Sequence, residues 1–168
     1  FCETFFDDVK VPRDQVVGEV NRGWDVAKYL LGHEREMIAG MGLGGGGSLG
    51  ASLRPDDPLL RADIAAFDVD AIAFEAMSER FFEQFKAGEA HPAFPSVMKY
   101  AGTELNKRRH ELAMAAGGSD ALEWDSDRSR GGKAARDWLR TKGNSIEGGT
   151  SEIQLGIVAK HILGLPGA

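Results

Sequence analysis

Pro58–Ala87, PLLRADIAAFDVDAIAFEAMSERFFEQFKA, decides the fold class. Leu60, Ile64, Phe67, Ala71, Phe74, Phe81 and Phe85 recur at spacings of three, four or seven, which lines them up on one side of an α-helix. Pro58 fits a first helical position and Gly88 the position just past the last, the usual asymmetry of helix ends. A helix this long and this one-sided needs apolar partners along its whole length. The rest of the chain offers them.

Downstream, the spacing predicts a helix over about Pro95–Ala116, carried by Met98, Ala101, Leu105, Leu112 and Ala116 and stopped by Gly117-Gly118. The polar segment Gly117–Gly131 (GGSDALEWDSDRSRG) reads as an irregular loop. A short helix follows over about Gly132–Lys142. The last, about Thr150–Leu163, uses Ile153, Ile157, Val158 and Ile162 and ends at Gly164-Leu165-Pro166. Upstream lie the polar break Arg54–Pro58, a glycine-dense stretch Gly40–Gly50, and a helix over about Gly23–Gly40 whose stripe is Ala27, Leu30, Leu31, Ile38 and Met41. Phe1–Val17 reads as extended, with Phe5, Phe6, Val9, Val11 and Val16 among turn formers; it is too little for a sheet. The expected fold is all-α: an antiparallel helical bundle over residues 21–168, preceded by a short extended segment, 1–20, that is the tail end of a β-region upstream. The first residue is Phe, so the chain reads as a piece of something longer. No internal repeat is present.

Composition narrows the function. The 168 residues are 42% hydrophobic and 27% charged, ordinary for a globular domain with a real core. A net charge of −6 without a block of Lys and Arg argues against a nucleic-acid partner. No apolar run approaches the roughly 20 residues that cross a bilayer. The single cysteine, Cys2, excludes an internal disulfide and points to a reducing, cytoplasmic setting; neither it nor the four histidines have metal-ligand spacing.

Two features carry chemistry. Asn144–Gln154 (NSIEGGTSEIQ) is a glycine-hinged turn opening the last helix. Gly148 and Gly149 permit positive φ, Thr150 or Ser151 can cap the helix, and Glu152 places a carboxylate in its first turn. Such a helix start can hold a phosphate or a polar cofactor atom; it is also an ordinary cap. The second feature is Glu34, which falls on the apolar stripe of the Gly23–Gly40 helix. A carboxylate there costs several kcal/mol unless paired or protonated. Either a basic residue such as Arg108 or Arg109 neutralises it, or it lines a water-poor pocket and serves as a base. Glu147, in the glycine turn, is the second candidate carboxylate. Gly42–Gly47 formally matches G-x-G-x-x-G but follows a helix, so a dinucleotide reading has no support. Lys107-Arg108-Arg109 reads as a solvated face.

The chain resembles the C-terminal half of an acyl-CoA dehydrogenase over essentially its whole length. Glu3–Pro12 (ETFFDDVKVP) resembles the end of that family's middle β-domain. Asn21–Leu31 (NRGWDVAKYLL) with His33-Glu34-Arg35 resembles the first C-terminal helix, and Ser96–Leu105 (SVMKYAGTEL) a helix of actinobacterial-type members. Ile146–Pro166 (IEGGTSEIQLGIVAKHILGLP) resembles the C-terminal signature and is the most specific match. The resemblance implies an FAD enzyme that removes an α-proton from an acyl-CoA with a glutamate, passes a hydride to the flavin, and delivers electrons to an electron-transferring flavoprotein.

It also implies site residues. The family's base has two homes. One, in the C-terminal motif, is occupied here by Gly148, with Glu147 displaced by one residue. The other, in the first bundle helix, matches Glu34. Gly149, Thr150, Ser151 and Glu152 match positions along the flavin's ribityl and pyrophosphate–adenosine region. Gly117 and Gly118 match a pair that touches FAD from a neighbouring subunit, although Met114 replaces the family's Gln, and Arg54 has no clear counterpart. A homo- or hetero-oligomer, dimer or tetramer, is therefore expected. The departures leave a second reading: a non-catalytic bundle subunit that supports a partner's active site. An acyl-CoA oxidase relative is a third.

Overall fold

The computed structural model describes residues 2–41 and 47–166, and within 32–41 the side chains of only 33 and 34. The chain divides into two compact units, Phe1–His33 and Glu34–Ala168.

In the first unit, the described residues ahead of the helix form no strand; they include a 3-10 turn at Arg13–Gln15 and a turn closed by Arg22 N–H on the Glu19 carbonyl (3.0 Å). Phe5, Phe6, Val9, Val11, Val16 and Val17 are exposed. Helix α1, Gly23–Met41, begins in this unit and ends in the second. Asp25 in its first turn is held by Arg22 (2.6 Å) and Lys28 (2.9 Å), a carboxylate at the positive end of the helix dipole. Of the expected stripe, Ala27 and Leu31 are half-buried and Leu30 is exposed. The side chains of Ile38 and Met41 lie outside the described residues, as does most of the glycine motif, residues 42–46.

The second unit is built on α3, Pro58–Ala87, whose bounds match the sequence expectation. Asp57 caps it by accepting from the amides of Leu59 (2.8 Å) and Leu60 (3.5 Å), Pro58 takes the first position, and Gly88 ends it with φ +72°. Ile64, Phe67, Phe74 and Phe81 are buried; Phe85 turns outward, 53% exposed. Their partner is α4, Phe94–Leu122. Phe74 and Phe81 pack with Met98 and Phe94 near the start of α4, while Ile64 and Phe67 pack with Leu112 further along it. The two helices therefore run antiparallel. Full burial of each such side chain contributes about 1.5–3 kcal/mol.

A short helix missing from the sequence reading, α2, Leu49–Ser52, closes one end of this core with Leu49. Asp68 of α3 secures it, accepting from the Ser48 hydroxyl (2.6 Å) and the amides of Leu49 (2.7 Å) and Gly50 (2.9 Å). Burial raises the Asp68 pKa, but these three bonds outweigh it and hold the carboxyl below its ordinary range.

Two expectations need correction. The Gly117-Gly118 pair does break the regular helix as expected, but the residues just after it, expected in a loop, form a further helical piece counted with α4. Gly118 adopts φ +55°, ψ −138°, a conformation open to glycine almost alone, and the helix then resumes to Leu122. Burial of Ala121 holds this last piece, and a Cβ at Gly117 would lie 2.7 Å from the Ala121 Cβ. Tertiary contact here makes a second helical piece of residues that read locally as loop. The rest of the expected loop is a knot of turns around buried Ser129, whose hydroxyl accepts from Gly132 N–H (2.9 Å) and donates to the Ser126 carbonyl (2.9 Å). Arg136 covers the Trp124 ring at 4.0 Å. Second, α6, Ser151–His161, does not bury the apolar residues expected of it. Its one buried residue is Gln154; Ile153 is exposed, Ile157 and Val158 are half-buried, and Ile162 lies past its end. The reason is its neighbour: α6 and α5 (Lys133–Asn144) both pack on α4, whose remaining buried residues are Ser96, Lys99, Gly102 and Thr103.

Phe74→Ala should lower unfolding free energy by about 3–5 kcal/mol in urea denaturation, and Phe85→Ala by less than about 1 kcal/mol. Equal losses at the two positions would contradict the one-sided burial of α3.

Candidate functional site

The glycine turn joins α5 to α6. The amides of Ile146 and Glu147 both donate to the Gly143 carbonyl (2.9 and 3.0 Å), and Ser151 N–H reaches back to the Ser145 carbonyl (3.1 Å). Gly148 and Gly149 then take φ +65° and +103°. A Cβ on Gly149 would sit 2.6 Å from Gln154 Nε2, so the position is restricted by space as well as by dihedral angle. Thr150 is the N-cap of α6; its hydroxyl accepts from Ile153 N–H (3.4 Å).

Three side chains fasten this turn. Lys99 of α4, wholly buried, donates from Nζ to the Gly149 carbonyl at 2.7 Å. Gln154, also wholly buried, donates from Nε2 to the carbonyls of Gly148 (2.9 Å) and Gly149 (3.4 Å). Glu104 of α4 accepts from the Ser151 hydroxyl (3.3 Å) and is itself held by Lys107 (2.7 Å). Burial pushes the Lys99 pKa down, while the carboxylates of Glu104 and Glu147 work the other way.

Glu147 lies at the outer edge of the turn. Arg140 holds it in an ion pair (2.8 Å), and Asn144 adds a longer contact (3.4 Å). The Arg140 hydrogen bond holds its carboxyl below the ordinary value of 4.5. A carboxylate so stabilised is a weaker base than a free one. Glu152 is exposed, and its own backbone N–H and the Thr150 hydroxyl keep its carboxyl ionised to lower pH than usual.

Thus the structure brings together Glu147, Gly149, Thr150, Ser151 and Glu152. Gly117 and Gly118 lie elsewhere: from Lys99, which touches the turn, to Gly117 is roughly 27 Å along α4 at 1.5 Å per residue. Glu34 sits on α1, partly exposed, and among the described residues no hydrogen bond or ion pair joins it to the turn. Arg108, one of the cations considered for it, is paired with Asp70, and Arg109 donates to the Gly47 carbonyl (3.2 Å). Beside the turn, a groove of about 560 Å³ runs past Glu104, Lys107, Arg108 and Lys142. Its cations are matched by Glu104, Asp70 and Glu111, so it offers no net field to an anion.

Lys99 and Gln154 escaped the sequence reading because a lysine and a glutamine in helices read as surface. A signal was nevertheless present. Lys99 shares a helical row with Ser96, Gly102, Thr103 and Asn106, and such small residues mark close approach of another element.

Residues 50–163 match the family described as acyl-CoA dehydrogenase, C-terminal domain. The chain is similar to acyl-CoA dehydrogenase FadE34 of Mycobacterium tuberculosis, at 31% identity over 99% of this chain and 23% of that protein. It is also similar to acyl-CoA dehydrogenase IpdE1 of Mycolicibacterium smegmatis, at 28% identity over 99% of this chain and 43% of that protein. Among solved structures, the Tcur3481-Tcur3483 steroid ACAD shares the fold, with a TM-score of 0.80 and 23% identity over 98% of this chain and 45% of that one. The chain therefore spans less than half the length of these relatives.

Arg140→Gln should raise the Glu147 pKa toward its ordinary value, read by carboxyl NMR titration. Because the folded value is depressed, the pair's stabilisation is present above about 4.5 and is lost as pH falls through the folded pKa. The variant should lose that acid dependence; an unchanged Glu147 midpoint would remove Arg140 as its cause.

Proposed function

The chain belongs to the acyl-CoA dehydrogenase family, and from that premise we propose that it is the C-terminal helical part of an enzyme that introduces an α,β double bond into an acyl-CoA thioester. Members of the family are generally FAD-dependent. In this reading residues 21–168 form the bundle domain and residues 1–20 are the remnant of a middle β-domain.

The turn's chemistry fits one part of FAD better than another. Two of the backbone N–H groups that open α6 are already engaged: Ser151 N–H by the Ser145 carbonyl and Ile153 N–H by the Thr150 hydroxyl. Around them stand the Glu152 and Glu104 carboxylates and the Thr150 and Ser151 hydroxyls, a set suited to hydroxyl-bearing ribityl or ribose groups. A pyrophosphate at the same place would meet like charge. Gly149, Thr150, Ser151 and Glu152 would hold the cofactor here, with Gly117 and Gly118 serving the cofactor of a neighbouring subunit. When bound, FAD supplies the acceptor for the hydride leaving the β-carbon.

Glu34 is the base that takes the α-proton. The observation that carries this choice is the Arg140–Glu147 pair, which stabilises the competing carboxylate in its ionised form and blunts it as a proton acceptor. Removal of a weakly acidic proton next to a thioester calls for a base that is not so neutralised. Electrons would pass on to an electron-transferring flavoprotein from a cytoplasmic homo- or hetero-oligomer. The alternative is a bundle subunit that supports a partner's site without reacting. It is favoured by the same paired Glu147, by the two engaged α6 amides and by Met114 at the family's glutamine position.

Glu34→Gln in the full natural polypeptide should slow flavin bleaching by an acyl-CoA by at least about 100-fold while leaving the flavin spectrum intact. Linear and steroid acyl-CoA thioesters, run in parallel, identify the substrate class. Bleaching that persists in Glu34→Gln but vanishes in Glu147→Gln would transfer the base to the turn. A full-length protein without flavin absorbance would favour the supporting subunit.

A further inference from the structure

The chemistry above gives Lys99 nothing to do, and its place is an expensive one for a lysine. The side chain is 0% exposed, and an ammonium removed from water requires compensation. A methionine could fill the same volume of α4. What it could not do is hold a carbonyl. The Gly149 carbonyl lies in a turn with φ +103°, outside helix and strand, and Lys99 Nζ meets it at 2.7 Å.

Gln154 grips the same turn from the other side. Its Nε2 faces the carbonyls of Gly148 and Gly149, where an oxygen would be repelled, and its Oε1 is buried with no hydrogen-bond partner among the described residues. Consecutive carbonyls are thus held between a cation from α4 and an amide from α6. Both side chains are buried, so water competes with neither.

We propose that Lys99 is a positioning residue: with Gln154 it latches the Gly148-Gly149 backbone, so that the Thr150 cap and the first turn of α6 are preformed before any cofactor arrives. That the latched turn serves FAD rests on the proposed function; that it is latched does not. Preorganisation of this kind strengthens binding by removing the cost of ordering a loop on contact.

The test uses Lys99→Met, Lys99→Arg and Gln154→Leu in the full natural polypeptide. Hydrogen exchange of residues 148–154 is measured in flavin-free protein, with residues 64–81 of α3 as the internal reference, and FAD dissociation is followed by flavin fluorescence. Lys99→Met should speed exchange in the turn at least tenfold with α3 still protected, and should weaken FAD retention at least tenfold. Lys99→Arg, which keeps the charged donor, should restore a substantial part of both. Unchanged turn exchange in a folded Lys99→Met protein overturns the latch. If Lys99→Met also loses α3 protection, Gln154→Leu decides: a turn as protected as the parent's overturns the proposal, and selective loosening upholds it. A turn that loosens with FAD retention unaltered upholds the latch and refutes its assignment to the cofactor.

Discussion

Helix α4 has to satisfy three neighbours at once, and the rest of the second unit depends on how it does so. One side, with Met98, Leu105 and Leu112, closes the aromatic core of α3. Another presents Ser96, Lys99, Gly102 and Thr103, small or polar, to the elements that follow. The first side works through area removed from water, which is strong but indifferent to orientation. The second works through small residues that permit close approach and, at Lys99 and the neighbouring Asn106, through directed bonds, which add little net energy but fix geometry. The bundle is stabilised on one side of α4 and shaped on the other.

Polar ties recur at three places where the second unit leaves regular structure. Asp68 holds the start of α2, Ser129 holds the turns before α5, and Lys99 and Gln154 hold the turn before α6. Each satisfies backbone groups that a loop would otherwise expose to competition from solvent. The carboxylate, the hydroxyl and the ammonium are drawn from elements distant in sequence or from the turn itself, so each loop is anchored independently of the others.

This division also explains what could be read from the sequence. The α3 stripe was legible because hydrophobic burial repeats with the helix period, and its bounds were legible because Asp57, Pro58 and Gly88 act locally. The Thr150 cap and the two positive-φ glycines were legible for the same reason. What failed was non-local. The residues just after the Gly117-Gly118 break read as loop, but the burial of Ala121 holds them in a further helical piece. The apolar residues of α6 suggested the wrong buried face, because the surface they were assumed to meet is polar. Lys99 is ordinary in sequence and exceptional only in its place. Of the candidate site, the turn could be read directly; of the side chains that hold it, only Lys99 left a mark in the sequence, the small residues that share its helical row.

Because the turn before α6 is gripped mainly through main-chain oxygens, its grip is largely blind to the side chains it displays. Glu152 and Ile153 point outward and play no part in the anchoring by Lys99 and Gln154. Descendants of this chain are thus free to swap those outward residues and diversify in what they recognise while inheriting the same scaffold. Drift at the two anchors, by contrast, would erode every such variant together.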